Sequence, residues 1–293
     1  MKRTGEKLTI WYSWTCGLIL SAAVFSILAY LVFKGAGTLN MKLIFGDASP
    51  LRAVFLQQRV FEGLFPAIVG TFILVALSIA FALPIGFATG IYLAEYADFR
   101  VKNAFNLIFD ILAGIPSIVV GLFGFALAVF LHKHYSSSIQ PCLLISSLAL
   151  AFLVLPYIIR TTQIALEGLS PDTRLTALAL GATKLQNLFY VLIPQSLSGM
   201  VSGLILAIGR CAEDTAVIML TGVVVAAGVP KSALAPYEAL PFYIYYISSQ
   251  YTSPEELMNG YGAALILLLL CLFLFTLAFV IKKRLTYLAF YRP

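Results

Sequence analysis

Residues 199–227 have the sequence GMVSGLILAIGRCAEDTAVIMLTGVVVAA, in which Arg210, Glu213 and Asp214 interrupt a membrane-length apolar run. Ionisable groups buried in a spanning helix are costly, so they normally face a bundle interior or a water-filled cavity and mark a pathway. On a helix Arg210 is i,i+3 from Glu213 and i,i+4 from Asp214, so the three side chains share one face. The cluster therefore predicts that this chain handles something polar inside a membrane.

The composition is that of a polytopic membrane protein. Of the 293 residues, 61% are hydrophobic and only 11% are charged, a balance that excludes an ordinary soluble domain. We predict an all-α membrane protein, one transmembrane domain over residues 1–293, with six helices of spanning length. The six predicted spans are 11–33, 67–92, 105–131, 141–162, 199–227 and 260–281.

The charge distribution predicts the topology. The first apolar run is too long for a signal core, so we predict an uncleaved span. With the N-terminus inside, twelve of the 19 Lys and Arg residues fall in cytoplasmic segments and six outside, which places both termini in the cytoplasm. The net charge of +6 therefore indicates topology and not nucleic-acid binding. The sequence has no nucleotide-binding glycine loop, nucleophile–base arrangement or metal-ligand spacing, so we expect no cofactor and no catalysis.

Small residues predict where helices pack closely. Gly86-x-x-x-Gly90 and Gly199-x-x-x-Gly203 let helix backbones approach in lipid, and we favour packing within the bundle over a dimer face. Pro116 falls inside the third predicted span, where it implies a local kink or a broken turn.

The cytoplasmic segment 166–196, LEGLSPDTRLTALALGATKLQNLFYVLIPQS, carries signals for two short helices. A Ser-Pro pair suits the N-cap and first position of one helix, and a glycine can supply its left-handed stop. A Thr-x-x-Gln capping box opens a second helix, which we predict to end before a proline. In chain order these residues are Ser170, Pro171, Gly181, Thr183, Gln186 and Pro194. We call residues 170–194 the knuckle; the alternative is an ordinary connector lying on the membrane surface.

The knuckle resembles the signature loop of ABC importer permeases, in which a glycine is followed after nine residues by I-x-L-P, here Gly181 and Val191-x-Ile193-Pro194. The resemblance implies the type I importer fold, with its core at about 67–281, and a knuckle that docks on a separate cytoplasmic ATPase. The family's Glu-Ala-Ala is replaced by Leu175, Thr176 and Ala177, which removes one glutamate and leaves an apolar docking face. The implied docking residues are Ser170, Pro171, Leu175, Ala177, Leu178, Gly181, Ala182, Thr183 and Pro194.

Three further stretches resemble the phosphate-specific permeases of the PstA/PstC type, and the last loop and helix favour the PstA side. They are GIYLAEYA at 90–97, LAGIPSIVVGLFG at 112–124 and LPYIIRTT at 155–162. The resemblance implies a phosphate importer in the inner membrane of a prokaryote. Its implied partners are a PstC-like second permease, two copies of a PstB-like ATPase and an extracytoplasmic PstS-like phosphate-binding protein.

The same resemblance extends to the charged cluster, because the phosphate-permease pattern is G-R-A-x-G-E-T-A. Arg210 and Thr215 match it, whereas Asp214 takes the place of the family glutamate and Glu213 that of a glycine. We expect Arg210 to contact phosphate oxygens while Asp214 or Glu213 accepts the phosphate hydroxyl. Arg160 also matches a family arginine and is either a pathway residue or a snorkelling side chain.

Other functions stay open from the sequence. The cluster could be a self-neutralising ion network that only holds helices together. The substrate could be another oxyanion, such as sulfate or molybdate. An ion-coupled secondary carrier would use the acids as proton sites, but it predicts an internal repeat that we do not see.

Overall fold

Helices account for nearly all of the chain in this computed structural model, which describes residues 2–50, 63–136 and 140–290. A 3₁₀ turn at Ala36–Thr38 and a π turn at Leu188–Leu192 join some of the helices. In chain order they are α1 (Lys2–Gly35), α2 (Met41–Phe45), α3 (Phe65–Glu95), α4 (Phe99–Ala113), α5 (Ser117–His134), α6 (Leu143–Glu167), α7 (Pro171–Ala179), α8 (Lys184–Asn187), α9 (Ile193–Glu213), α10 (Ala216–Thr221), α11 (Leu240–Gln250) and α12 (Pro254–Phe290).

Six helical segments of the described ranges are long and apolar enough to cross a membrane, which confirms the predicted all-α fold with six spans. Their bounds differ from those predicted, and the third and fifth predicted spans each contain parts of two helices. The segments are Thr9–Thr38, Phe65–Glu95, Ser117–His134, Leu143–Glu167, Lys184–Glu213 and Pro254–Arg284.

The third predicted span, 105–131, is wrong as a single helix. Residues Gly114–Pro116 separate α4 from α5, and only α5 has the length and hydropathy of a span. Pro116 lacks an N–H group and disfavours helical geometry at the residue before it, so α4 ends and α5 begins there. The first part of the predicted span therefore belongs to α4, a separate amphipathic helix.

The fifth predicted span, 199–227, also has the wrong bounds. The second helix of the knuckle, which was predicted to end before Pro194, continues past that residue. The helix that opens at Lys184 continues through the π turn into α9, so the span covers Lys184–Glu213. In the π turn, the Ile193 N–H donates to the Leu188 carbonyl one residue farther back than in an α-helix. This wider turn accommodates Pro194, which would otherwise break the hydrogen-bond ladder.

Helix α6 lies at the centre of the bundle, and two neighbouring helices pack on it through the predicted small residues. A Cβ added to Gly90 of α3 would lie 2.6 Å from the Thr162 Cβ, and Gly86 lies as close to Ile158. On α9, Gly199 packs against Ala165 and Gly203 against Thr161. Both small-residue motifs therefore serve packing within the bundle, as predicted.

The segment after α10 returns to the bundle at the end opposite the knuckle. The Leu240 N–H donates to the Thr71 hydroxyl at 2.9 Å, and Gly70 is pressed against the Glu238 carbonyl. Helix α11 follows directly. These contacts fix the segment that follows α10 to the first turns of α3.

Candidate functional site

The three charged side chains of the cluster meet, as their spacing predicts. Arg210 Nη1 lies 2.9 Å from Glu213 Oε1, and Nη2 lies 3.6 Å from Asp214 Oδ2. The Arg210 Nε is buried and has no hydrogen-bond partner among the described residues. The guanidinium therefore balances two carboxylates and still has an unused donor.

The cluster lies at a break between two helices and not inside one. Helix α9 ends at Glu213, and Asp214 has an extended backbone, with φ −74° and ψ 114°. Asp214 Oδ1 then accepts a hydrogen bond from the Val217 N–H at 2.9 Å, while Thr215 opens α10 without a side-chain cap. An aspartate that accepts from an amide three residues later is a strong N-cap, so this sequence favours a new helix start over continuation.

The break places the two acids in different surroundings, and the sequence alone did not distinguish between them. The Asp214 side chain is 3% exposed and is occupied by the cap and by Arg210. The Glu213 side chain is 62% exposed, and Arg210 is its partner. The position that aligns with the family glutamate is thus buried and caps a helix, while the additional glutamate is exposed.

The register of α9 against α6 sets the level of the cluster in the bundle. The helices run antiparallel, because Gly199 faces Ala165 and Gly203 faces Thr161. Arg210 is about two helical turns beyond Gly203, so it is level with the middle of α6. Arg210 is therefore near the end of α9 but level with the middle of α6.

Arg160 belongs to a second polar group. Its Nε lies 3.5 Å from Asp110 Oδ1, and its Nη1 donates to Gln163 Oε1 at 3.4 Å. Gln163 in turn donates to Glu167 at 2.8 Å, and Lys102 lies 2.5 Å from the same carboxylate. These contacts join α4 to the knuckle end of α6, and no ion pair of the described residues links Arg160 to the Arg210 cluster. The pairing with Asp110 spans fifty positions, so no local pattern could have predicted it.

The caps of the knuckle form as the sequence predicts. Ser170 Oγ accepts from the Thr173 N–H at 3.3 Å, and Pro171 occupies the first turn of α7. The capping box is complete: the Thr183 N–H donates to Gln186 Oε1 at 2.8 Å, and the Gln186 N–H donates to Thr183 Oγ1 at 3.3 Å. Gly181 adopts the left-handed conformation, with φ 85°, which ends the first helix and turns the chain into the second.

The knuckle presents an apolar surface to its surroundings. Leu175, Leu180 and Tyr190 are 59%, 85% and 80% exposed, and no residue of α7 is buried. A shallow depression of about 410 Å³ follows the turn between the two helices, lined by Ala177, Leu180, Gly181, Ala182, Gln186, Tyr190 and Val191. Leu175 and Leu178 instead line a separate cavity of about 190 Å³ between the knuckle and the end of α3. Five of the nine predicted docking residues therefore line one of these two concavities, whereas Ser170, Pro171, Thr183 and Pro194 line neither.

Sequence reasoning missed Glu95, the last residue of α3. It lies within GIYLAEYA at 90–97, which was considered only as a resemblance, and it contacts both helices of the knuckle. A lone acid at the end of a span was the only local signal.

Comparisons with known proteins agree with this architecture. The phosphate transport system permease protein PstA of Haemophilus influenzae is 30% identical over 290 residues, which cover 97% of this chain and 96% of that protein. PstA 1 of Mycobacterium tuberculosis is 31% identical over 224 residues, covering 75% of this chain and 69% of that protein.

Among solved structures, the inward-facing MetNI methionine ABC transporter matches with a TM-score of 0.52 and 20% identity, over 83% of this chain and 99% of that one. This likeness shows the ABC importer permease fold. The family model of the binding-protein-dependent transport system inner membrane component matches residues 86–287. With its six apolar spans, the chain therefore belongs to this family of inner-membrane transport components.

Proposed function

We propose that this chain is the permease subunit of an ATP-driven importer of inorganic phosphate. The observation that carries the proposal is the Arg210–Glu213 ion pair, which is partly open and lies at the middle of the bundle beside the buried Asp214. The named function of the PstA relatives supports the choice of phosphate.

Arg210 supplies the anion contact in this proposal. A guanidinium donates to oxyanions in a planar, bidentate geometry, and the buried Nε is a further donor without a partner among the described residues. Because Glu213 already occupies Nη1 at 2.9 Å, an entering anion has to compete with an internal carboxylate. This competition keeps binding weak enough for release.

Glu213 is the residue that we assign to substrate choice. Phosphate near neutral pH carries at least one P–OH donor, which a carboxylate accepts, whereas sulfate carries none. Once a bound anion covers Glu213, a carboxylate left without that donor costs about 1–3 kcal/mol. Asp214 is less suited to this role because its Oδ1 is occupied by the Val217 N–H. Its role is to hold the helix break and to lower the charge around Arg210, while Thr215 begins the helix that follows.

The knuckle at 170–194 supplies the coupling. Its exposed leucines and Tyr190 suit docking on a separate ATPase, and hydrolysis then takes place on that partner and not on this chain. The two termini and the knuckle lie on the cytoplasmic side, and a PstS-like binding protein delivers phosphate at the opposite side. A PstC-like permease completes the pathway, with two copies of a PstB-like ATPase, and residues 1–293 act as one transmembrane domain.

The deciding experiment measures phosphate uptake, with sulfate as competitor, in vesicles that contain the whole complex. Glu213→Gln replaces the acceptor by an amide that can donate to sulfate, so we expect phosphate-over-sulfate selectivity to fall about tenfold. Asp214→Asn keeps the capping oxygen, and we expect a smaller change. Glu255→Gln, which neutralises an exposed acid of α12, is the control. If neither cluster variant alters selectivity, Glu213 does not choose the substrate; if the wild-type complex takes up no phosphate, the proposed function is wrong.

A further inference from the structure

If its helix caps were its only support, the knuckle could not transmit a movement to the spanning helices. Helix α7 has nine residues and buries none of them. Gly181 next to it has open space around its Cβ position. A short, exposed helix that ends at such a glycine can tilt without moving the bundle, so a displacement applied to it would be lost. Transmission requires a rigid connection to the spanning helices.

Arg174 makes that connection to two spanning helices at once. Its Nη1 lies 2.7 Å from Glu95 Oε1 at the end of α3, and its Nη2 donates to the Leu166 carbonyl near the end of α6. The Glu95 and Arg174 side chains are 10% and 26% exposed. Because solvent screens this charged pair less than a surface pair, it holds its geometry better.

The second helix of the knuckle reaches the same point. The Lys184 ammonium donates to the Glu95 carbonyl at 2.6 Å and lies 4.3 Å from the centre of the Tyr96 ring. The Asn187 side-chain amide donates to the Arg174 carbonyl at 2.9 Å, which ties α8 to α7. Both short helices are therefore held at Glu95, and each is held to the other.

Helices α3 and α6 are packed too closely to slide past each other near the ends that the knuckle contacts. Gly86 and Gly90 of α3 lie against Ile158 and Thr162 of α6 with no room for a methyl group. A displacement that reaches Glu95 is thus passed to both helices, and the middle of α6 is level with Arg210. Because α6 also packs on Gly199 and Gly203 of α9, these contacts lead from the knuckle to the helix that carries Arg210.

We propose that Glu95 and Arg174 are positioning residues that transmit the movement of the knuckle to the α3–α6 pair. This inference rests on the proposed function, because it assigns a mechanical role within the same importer. The Glu95–Arg174 ion pair fixes the angle between the knuckle and α3, which the turn at Gly181 alone would leave free to change. Losing the pair leaves ATP hydrolysis possible but disconnects it from the pathway.

The test is the amount of phosphate taken up per ATP hydrolysed, with the full complex in vesicles. Glu95→Gln and Arg174→Gln are each expected to lower this ratio at least ~5-fold while hydrolysis itself stays within ~2-fold. The double variant should lose no more than the worse single variant, because both changes remove the same contact. Arg100→Gln removes an exposed charge close to α3 and should leave the ratio unchanged. Single variants that keep the wild-type ratio, or losses that multiply in the double variant, would overturn the proposal.

A second measurement is independent of the substrate. Spin labels at Leu180→Cys on the knuckle and Ile85→Cys on α3, in a chain with the exposed Cys16 replaced by serine, report the distance between the two elements. That distance should be the same with and without a non-hydrolysable ATP analogue in the otherwise wild-type complex, and should shift or broaden with Glu95→Gln. An unchanged distance in Glu95→Gln refutes the rigid connection. If wild-type vesicles take up no phosphate, the proposed function fails, and this distance still decides the role of Glu95.

Discussion

Asp214 Oδ1 accepts a hydrogen bond from the Val217 N–H at 2.9 Å, and this one contact turns a predicted continuous span into two helices. The other oxygen of the carboxylate lies 3.6 Å from Arg210 Nη2. The residue whose side chain caps the start of α10 is therefore also an ion-pair partner of the guanidinium. The geometry of the helix break and the charge of the cluster are linked through a single side chain.

Removing the cap should destabilise the protein more than removing the charge. Asp214→Ala loses the oxygen that accepts from Val217, and we expect the free energy of unfolding to fall by about 1 kcal/mol, within the range of measured N-cap losses. Asp214→Asn keeps the acceptor, so its free energy of unfolding should fall less. Denaturant unfolding in detergent measures both variants. Equal losses for Ala and Asn would mean that the ion pair with Arg210, and not the cap, dominates.

The contact between α6 and α9 should not tolerate a methyl group at Gly203. A Cβ there would clash with Thr161 Oγ1 and would lie 2.5 Å from the Thr161 Cβ, so Gly203→Ala should lower stability by about 1–3 kcal/mol through overpacking. Adding Thr161→Ala should recover part of the loss, since it removes the nearest atom. Gly17→Ala, with no atom within 4 Å, is the matched control. Thermal unfolding that is unaffected by Gly203→Ala would contradict the close packing.

The turn of the knuckle should depend on the left-handed residue. Gly181 has φ 85° and nothing within 4 Å of its Cβ position, so the cost of Gly181→Ala is conformational and about 1–2 kcal/mol. Asparagine adopts this conformation more readily, so Gly181→Asn should cost less. Hydrogen–deuterium exchange of the knuckle amides should accelerate in the order Gly, Asn, Ala. Gly37→Ala, also without close neighbours, serves as control, and equal exchange in both alanine variants would exclude the strain.

Stability should fall with rising pH because of Glu238. Burial raises the pKa of this carboxyl group, and the N–H groups of Gly228 and Ala227, which donate to its Oε1 at 2.7 and 3.0 Å, oppose the shift only in part. With a folded pKa above the unfolded one, the folded state binds more protons in the interval between them, so stability is lost as pH rises through that interval.

Glu238→Gln keeps an oxygen acceptor and removes the titration. From a pH below the ordinary carboxyl pKa up to neutral pH, the unfolding free energy of the wild type should therefore fall relative to that of Glu238→Gln. A difference that does not change with pH would contradict the raised pKa.

Local sequence signals predicted the local features well. The knuckle formed with the predicted caps at Ser170 and Thr183, because a cap depends on residues only three positions apart. The same kind of local reasoning wrongly ran one predicted span through Pro116 and wrongly ended a helix before Pro194. Both residues are helix breakers by propensity, but one separates two helices and the other is absorbed by a π turn. Which outcome occurs depends on the packing around the turn.

The sequence by itself determined that this is a six-span helical membrane protein with a charged cluster and a capped knuckle, because hydropathy, helical spacing and capping act over a few residues. Only the tertiary structure decided that Asp214 is buried while Glu213 is open, that Arg160 pairs with Asp110, and that Glu95 holds the knuckle through Arg174. These relationships depend on which helix faces meet, and side chains distant in the chain meet only after α3, α4 and α9 have packed on α6.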